Sequence, residues 1–319
     1  MKRIGVVLLN LGGPGKLDEV EPFLLNLFAD RDIIRLGPAF LQKFIARRIV
    51  KKRAPKSRAA YRLIGGGSPL NRITAAVADK LEQKLAGPVE FRVDMAMRYW
   101  QPRPLETLER MGAAELDGLV ALTLYPHYSK ATTGSSLVDL RRELAATVPD
   151  LELAVVREWA DHPGYIRNLA DRVKRAAAPL AAGFRLVYSA HSLPKKFIDE
   201  GDPYVNDLKK TIAALERETG ISGELCFQSR SGPVRWLTPS TPDMLATLAA
   251  AGVREVLMLP LSFVSDHVET LYEIDILYRE QAREMGMDLV RVESLNDAPD
   301  FIDTLADLVL AACRGKGWL

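Results

Sequence analysis

Two glutamates in the last third of the chain have the spacing of groups that handle protons or cations. Glu269 and Glu273 are four residues apart in a helix-like run, so they share one helical face. Asp266, a good helix N-cap, and His267 come just before them, after an apolar run that is typical of a buried strand. Stacked carboxylates repel each other, so such a row is useful when it binds a cation or passes protons on. The alternative is a solvated acidic first turn, which the helix dipole favours.

Two histidines outside this run also follow strand-like segments. His191 ends an apolar run, and its pKa near neutrality makes it a natural proton acceptor if it faces a cleft. In isolation, a histidine at such a position is more often a hydrogen-bonded core residue. His127 stands between Tyr125 and Ser129, where a run of hydroxyls begins. Those hydroxyls either cap the next helix or bind the polar edge of a ligand.

Composition limits the classes of protein to which the chain can belong. It has 319 residues, 48% hydrophobic and 26% charged, which is ordinary for a globular protein. A net charge of +2 gives no basic field for nucleic acid. Two cysteines fit a reducing compartment and cannot form a four-cysteine cluster site. The apolar run 4–9 predicts a first strand and not a targeting signal, and no apolar run has the ~18 residues of a membrane span.

Short apolar runs alternate with longer amphipathic ones, which predicts parallel sheets covered by helices on both faces. The length suggests two domains, 1–150 and 151–319, and the last helix could pack back on the first. In such sheets a ligand binds beyond the carboxyl ends of the strands. The predicted strands are 3–9, 90–97, 118–125, 152–156, 185–190, 224–228, 255–261 and 288–292; the main predicted helices are 72–85, 136–146, 165–177, 203–219, 244–251 and 301–313.

Residues 33–56 do not fit this alternation, because apolar and basic side chains interleave along them. Pro55 is expected to end their helical part. A basic amphipathic helix of this kind lies on an anionic membrane surface or lines the mouth of an apolar cleft. The alternative is a helix that packs on the core with a charged outer face. Elsewhere, the glycine-rich runs 12–15 and 65–67 match neither a dinucleotide fingerprint nor a phosphate-binding loop.

Seven motifs, taken together and in order, closely resemble the ferrochelatase family over nearly the whole chain. Any one of them alone is weak, whereas the set is highly specific. They are 9–14 (LNLGGP), 61–69 (YRLIGGGSP), 125–129 (YPHYS), 189–194 (SAHSLP), 201–204 (GDPY), 227–230 (FQSR) followed by Trp236, and 263–273 (FVSDHVETLYE).

The resemblance implies two Rossmann-like α/β domains, each a four-stranded parallel sheet flanked by helices, with the active-site cleft between them. His191 matches the histidine at the centre of the family's cleft, and Glu269 matches the acidic residue that faces it. Both are therefore the expected catalytic groups and metal ligands. Glu273, Asp266 and His267 are expected to relay metal or protons.

The resemblance also implies a porphyrin pocket, in which Arg98 could pair with a propionate. Its expected residues are Leu11, Arg98, Tyr99, Tyr125, Ser129 and Trp236. Leu277 stands where a third carboxylate of the acidic row is usual, which puts an outer metal site in doubt. Leu11 stands where relatives that act on coproporphyrin tend to carry tyrosine, which favours protoporphyrin. No iron–sulfur cluster is expected, because two cysteines cannot provide four ligands. No other prosthetic group is expected, and ferrous iron is a substrate.

The expected activity is that of a lyase of haem biosynthesis: insertion of ferrous iron into protoporphyrin IX with release of two protons. The expected location is the cytoplasm, with a peripheral contact at the inner face of the membrane through residues 33–56. The alternatives are a related chelatase for another metal or for coproporphyrin, and a non-enzymatic porphyrin or haem carrier, since a fold does not fix a function.

Overall fold

The computed structural model describes residues 2–31, 33, 34, 36–230, 232 and 234–319. Contacts within the chain divide it into two compact units, each of which is described by itself. The first comprises Met1–Tyr125, Ser129–Glu158 and Asn296–Leu319, and the second comprises Pro126–Tyr128 and Trp159–Leu295. The division into domains 1–150 and 151–319 stays a prediction.

The first unit is built on a parallel sheet with strand order β2-β1-β3-β4. Every residue of the third strand is buried, as expected for a strand covered on both faces. The strands are β1 (Arg3–Asn10), β2 (Glu90–Met97), β3 (Gly118–Thr123) and β4 (Leu153–Val156). The first four predicted strands are therefore confirmed, with small differences at their ends.

Five α-helices of the first unit precede its last strand or connect its strands. They are α1 (Val20–Ala29), α2 (Gln42–Leu63), α3 (Leu70–Lys84), α4 (Pro104–Arg110) and α5 (Ser135–Thr147). A π-helix, Lys130–Gly134, leads directly into α5. Short 3₁₀ turns lie at Leu17–Glu19, Ala39–Leu41 and Ala113–Glu115.

The helix α2 corrects one expectation. Pro55 does not end it, because α2 continues through Pro55 as far as Leu63. Proline lacks an N–H and so costs the helix one hydrogen bond. Burial offsets that cost: α2 packs against α1, and Val50, Ala54 and Ala60 are buried on both sides of the proline.

The 3₁₀ turn before α2 and the start of α2 carry large apolar side chains in solvent. Phe40 is 83% exposed and Phe44 is 55% exposed. The guanidinium of Arg48 lies over the ring of Phe44, 5.1 Å from its centroid. In the ranges that the structure describes, no helix is both long enough and apolar enough to span a membrane.

The second unit repeats the layout with strand order β6-β5-β7-β8, again all parallel. Its strands are β5 (Arg185–His191), β6 (Gly223–Gln228), β7 (Glu255–Pro260) and β8 (Asp288–Arg291). Its helices are α6 (Pro163–Ala177), α7 (Lys195–Asp199), α8 (Tyr204–Thr219), α9 (Thr241–Ala250) and a π-helix, Glu269–Tyr278, which continues as α10 (Arg279–Glu284). The predicted strands and the main predicted helices of this region are confirmed.

A final helix, α11 (Pro299–Gly315), belongs to the first unit, where it packs against α3 and β4. Each unit has its own apolar core: Leu119, Ala121 and Leu140 are buried in the first, and Val256 and Met258 in the second. The candidate site residues lie at or just beyond the carboxyl ends of these strands.

Candidate active site

His191 is the last residue of β5, a central strand of the second sheet. Its side chain is 33% exposed, and its ring meets the ring of Phe263 edge to face at 5.9 Å. Removal of water from around the imidazole lowers the pKa of His191 below its usual value. The carboxylate of Glu269 opposes this effect but does not cancel it. His191 is therefore a neutral base at pH 7.

Glu269 begins the second π-helix and lies between two histidines. Its Oε1 is 3.5 Å from Nδ1 of His191, and its Oε2 is in direct contact with Nε2 of His267. Burial alone would raise the pKa of Glu269, but the two imidazoles outweigh burial and lower it to about 2. The Glu269 side chain is thus a carboxylate throughout the physiological range.

His267 holds the other side of this carboxylate. It is buried, and its Nδ1 lies 2.9 Å from the carbonyl oxygen of Ser265. Since a carbonyl only accepts, Nδ1 carries a hydrogen and Nε2 faces Glu269. Burial would lower the pKa of His267, but Glu269 and the Ser265 carbonyl outweigh it and raise the pKa. The pKa values of the two histidines are therefore shifted in opposite directions: that of His267 is raised and that of His191 is lowered.

Glu273 lies one helical turn after Glu269, as their spacing predicts. One of its oxygens accepts hydrogen bonds from Ser229 Oγ at 2.6 Å and from Gln228 Nε2 at 3.1 Å. Burial and the charge of Glu269 nevertheless raise the pKa of Glu273 to about 7. A carboxyl that is half-protonated near neutrality can take up or release a proton there.

Asp266 takes part in a different set of contacts. Its Oδ1 accepts from Arg291 Nη1 at 3.0 Å and from Ser294 Oγ at 2.8 Å. Arg291 also donates to Asp275 at 2.9 Å, and its side chain is only 11% exposed. Asp266 and Asp275 flank the glutamates in sequence, so Arg291 ties the π-helix to the end of β8 on both sides of them.

The first unit places two of the expected pocket residues in a closed network of ion pairs. Arg98 is 2.6 Å from Asp30 and donates to Ser135 Oγ at 2.6 Å. Tyr99 is buried, and its hydroxyl donates to Asp30 at 2.7 Å. Asp139 lies 3.5 Å from Arg98, so carboxylates already surround this guanidinium.

The remaining expected pocket residues have separate surroundings. Leu11 and Tyr125 are half-buried, and Ser129 is buried, its hydroxyl accepting from the backbone of Ala131 to cap the first π-helix. In the second unit, Trp236 pairs with Pro194 in an isolated β-bridge. Trp236 is thereby joined to the segment that follows His191.

Four side chains that shape the site were not selected from the sequence as site residues: Gln228, Ser229, Tyr204 and Ser262. Gln228 is buried at the end of β6, and its amide bonds both the Glu269 carbonyl, at 2.9 Å, and Glu273. Ser229 adopts a positive φ of 65° as it turns towards Glu273. Position after a strand was the available signal, and the sequence did not show which strands would be neighbours.

The chain was then compared with known proteins. A family model described as Ferrochelatase matches residues 3–313. The ferrochelatase of Desulfotalea psychrophila is 53% identical over 307 residues, which is 96% of this chain and 96% of that protein. The ferrochelatase of Geotalea uraniireducens is 50% identical over 312 residues, 97% of each chain. That of a Synechococcus species is 43% identical and covers 99% of this chain and 84% of its own length.

Solved structures with a similar fold are much more distant in sequence. SirB from Bacillus subtilis with Fe³⁺ has a TM-score of 0.61 at 11% identity, over 99% of this chain and 98% of that chain. CbiX, described as the terminal enzyme for siroheme biosynthesis in denitrifying bacteria, has a TM-score of 0.51 at 18% identity, over 97% and 99%. These similarities establish the fold. Among the described residues of this chain, no group of three or more His, Cys, Asp or Glu side chains has the arrangement of a metal site.

Proposed function

The chain belongs to the ferrochelatase family, and we propose that it inserts ferrous iron into protoporphyrin IX at a centre formed by His191 and Glu269. Membership makes it a metal chelatase, a lyase of haem biosynthesis with a porphyrin and iron as substrates. One observation carries the assignment of the centre: a single carboxylate lies between two imidazoles, one with a lowered pKa and one with a raised pKa.

Metal insertion requires a base, because two pyrrole protons must leave the ring. The tautomer of His191 with its hydrogen on Nδ1, the nitrogen 3.5 Å from Glu269 Oε1, leaves the lone pair of Nε2 to accept a proton. Glu269 then stabilises the imidazolium that forms. His191 and Glu269 also supply the nitrogen and oxygen ligand types that ferrous iron accepts before it enters the ring.

The neighbouring groups have supporting roles in this proposal. His267 keeps its proton and fixes the orientation of Glu269, and Asp266 anchors the segment through Arg291. Glu273, with a pKa of about 7, is the candidate for the next proton transfer. No prosthetic group takes part. Metal and acid-labile sulfide analysis of the purified protein tests the absence of an iron–sulfur cluster.

The porphyrin contacts are a finer part of the proposal. Leu11, Tyr125, Ser129 and Trp236 would contact the ring, and Tyr99 would support Arg98. To bind a propionate, Arg98 must give up part of its ion pair with Asp30. We expect Arg98→Lys, which cannot make the forked contact, to raise KM for the porphyrin more than it lowers kcat. Comparing protoporphyrin with coproporphyrin, in the wild type and in Leu11→Tyr, tests the choice of ring.

The membrane contact is also proposed, for a protein located in the cytoplasm. Residues 33–56, of which Arg35 lies outside the described residues, combine exposed Phe40 and Phe44 with basic side chains. We expect binding to anionic vesicles that Phe40→Ser/Phe44→Ser weakens and that salt reduces. Val138→Ser, at an apolar side chain exposed on α5, is the matched control. Equal binding of both variants would contradict this contact.

The decisive experiment is anaerobic incubation with protoporphyrin and ferrous iron, followed by the haem spectrum, with cobalt and zinc as competing metals. We expect His191→Ala to lose insertion by about 10²–10⁴-fold while porphyrin binding, measured by fluorescence quenching, is kept. His162→Ala, at a histidine to which no role is assigned, is the control. Near-wild-type insertion by His191→Ala would remove His191 from the centre. A wild type that binds porphyrin and inserts no metal would instead be a carrier.

A further inference from the structure

The backbone of His191 is held by two hydroxyl groups that touch each other. The N–H of His191 donates to Ser262 Oγ at 3.0 Å, and its carbonyl oxygen accepts from the Tyr204 hydroxyl at 2.9 Å. The two hydroxyl oxygens are 2.6 Å apart. Three hydrogen bonds thus close a ring around the last residue of β5.

The hydrogens in this ring can be assigned. The Tyr204 hydroxyl has one hydrogen, and the His191 carbonyl only accepts, so the tyrosine donates to that carbonyl. The hydrogen of Ser262 then points to the tyrosine oxygen, and the lone pair of Ser262 accepts from the His191 N–H. All three donors are satisfied, which matters because Tyr204 is buried and Ser262 is nearly so.

The ring joins three separate parts of the second unit. Ser262 lies just after β7, in the segment that leads to Glu269, while Tyr204 is the first residue of α8. The last bond of the β5–β7 ladder, Leu261 N to Ser189 O at 2.9 Å, lies one residue earlier. The ring therefore extends the connection between β5 and β7 beyond the sheet, at the point where the site begins.

Tyr204 is itself fixed in place. Its backbone N–H donates to the carboxylate of Asp202 at 3.1 Å, and its ring meets the buried ring of His127 edge to face at 6.3 Å. His127 is anchored in turn by Thr211, 2.8 Å from its Nε2. The tyrosine hydroxyl therefore has little freedom to follow His191 if that residue moves.

We propose that Ser262 and Tyr204 are positioning residues, which set the distance and angle between the His191 imidazole and the Glu269 carboxylate. This inference rests on the proposed function for its catalytic consequence. The gap of 3.5 Å between Nδ1 of His191 and Oε1 of Glu269 exceeds an ordinary hydrogen bond, so a small shift of β5 decides whether the pair acts together. Misplacement by about 1 Å costs on the order of 10²-fold in rate.

The test compares Ser262→Val with Ser262→Thr, which have nearly the same shape and differ in the hydroxyl. We expect Ser262→Val to lower kcat by roughly 10-fold or more, with KM for the porphyrin within about 2-fold of the wild type, because neither residue is assigned to bind the ring. Ser262→Thr should recover most of kcat. Tyr204→Phe should resemble Ser262→Val. The double variant should be little worse than either single one, because each substitution breaks the same ring of hydrogen bonds.

A second readout does not depend on insertion. The ¹⁵N signals of the His191 ring should shift in Ser262→Val and Tyr204→Phe and return towards the wild type in Ser262→Thr. Wild-type kcat and unchanged ring signals in Ser262→Val and Tyr204→Phe would overturn the positioning role, as would equal losses in Ser262→Val and Ser262→Thr. If the wild type inserted no metal while the ring signals still responded, the proposed function would fail and the positioning role would stand.

Discussion

The two units share one layout and differ in the chemistry at their strand ends. In each sheet the first strand in sequence is central, and a π-helix follows the third strand. The first unit places Arg98 between Asp30 and Asp139, with side chains 12%, 8% and 1% exposed. The second unit places Glu269 between two histidines whose pKa values are shifted in opposite directions. The same scaffold thus holds a neutralised guanidinium network in one unit and a carboxylate between two imidazoles in the other.

This difference follows from the ionisable groups themselves. A guanidinium stays charged at every accessible pH, so carboxylates around Arg98 make a fixed structural cluster. Imidazole titrates near neutrality, and its environment decides its charge. Burial therefore holds the ion pairs of Arg98 together in the first unit, whereas in the second unit it shifts the proton affinity of the histidines. Four predictions test this contrast.

Asp139→Asn should give the largest effect, and on stability. Asp139 is buried and contacts Arg98, Arg103 and Arg142, so the substitution leaves several cations short of a partner. We expect a loss of about 3 kcal/mol in the free energy of unfolding, measured by urea denaturation. Glu143→Gln, at the other acidic partner of Arg142, is the control and should cost less than about 1 kcal/mol. Equal costs would mean that the network contributes no more than a surface ion pair.

Glu269→Gln should act on turnover. We expect kcat to fall by about 100-fold, or about 2.7 kcal/mol, with porphyrin binding kept, because the imidazolium of His191 loses its counter-charge. The pKa of His267 should also fall, since Glu269 helps to raise it, and NMR titration checks this. Glu273→Gln should cost less turnover than Glu269→Gln. Equal losses would contradict the assignment of the inner carboxylate.

Glu273→Gln should change how stability depends on pH. Glu273 has a pKa of about 7 in the folded protein, whereas its ordinary value is 4.5. The protonated group therefore contributes stability that is complete below pH 4.5 and is lost as the pH rises through 7. Removing the acid should therefore favour the variant by about 3 kcal/mol more at about pH 8 than at about pH 4.5. Glu280→Gln, at an exposed acid of α10, should show no such trend. A parallel pH dependence in both variants would argue against a buried Glu273 proton.

The smallest expected effect is the position of the acidic limb of the rate profile. Because burial lowers the pKa of His191, the limb should lie below pH 6.5, the usual histidine value. Measuring kcat against pH in the Glu273→Gln background removes the titration of Glu273 from the profile. A limb above pH 6.5 would mean that the proton acceptor is cationic at rest.

The fold could be predicted well from the sequence because buried strands appear in it as continuous apolar runs. The strand β3 is such a run and is buried throughout, while the run 90–97, in which charged and apolar residues alternate, also has the bounds that the structure gives β2. The prediction that Pro55 ends the helix was wrong, because the burial of residues on both sides of this proline is a tertiary effect that the local sequence does not show. Glu269 and Glu273 sharing a helical face could be predicted from spacing alone.

The charges in the site could not be predicted, because they arise from contacts between distant segments. His267 and His191 are both ordinary histidines in the sequence, and only their neighbours raise the pKa of one and lower that of the other. The hydroxyl ring is similar: Tyr204 and Ser262 are 58 residues apart, and nothing local pairs them. They could be paired only with the knowledge that β5 and β7 are neighbours in the sheet.

The contact between His267 and Glu269 has a thermodynamic consequence for metal loading. Any divalent ion that takes this glutamate oxygen as a ligand displaces it from His267 and so removes a contact that raises the pKa of that histidine. Uptake of the ion is therefore linked to proton release, separately from the two protons that leave the macrocycle. The apparent affinity of the empty enzyme for a divalent ion should rise with alkalinity until His267 is deprotonated, so that acidity itself would act as a competitive inhibitor of loading.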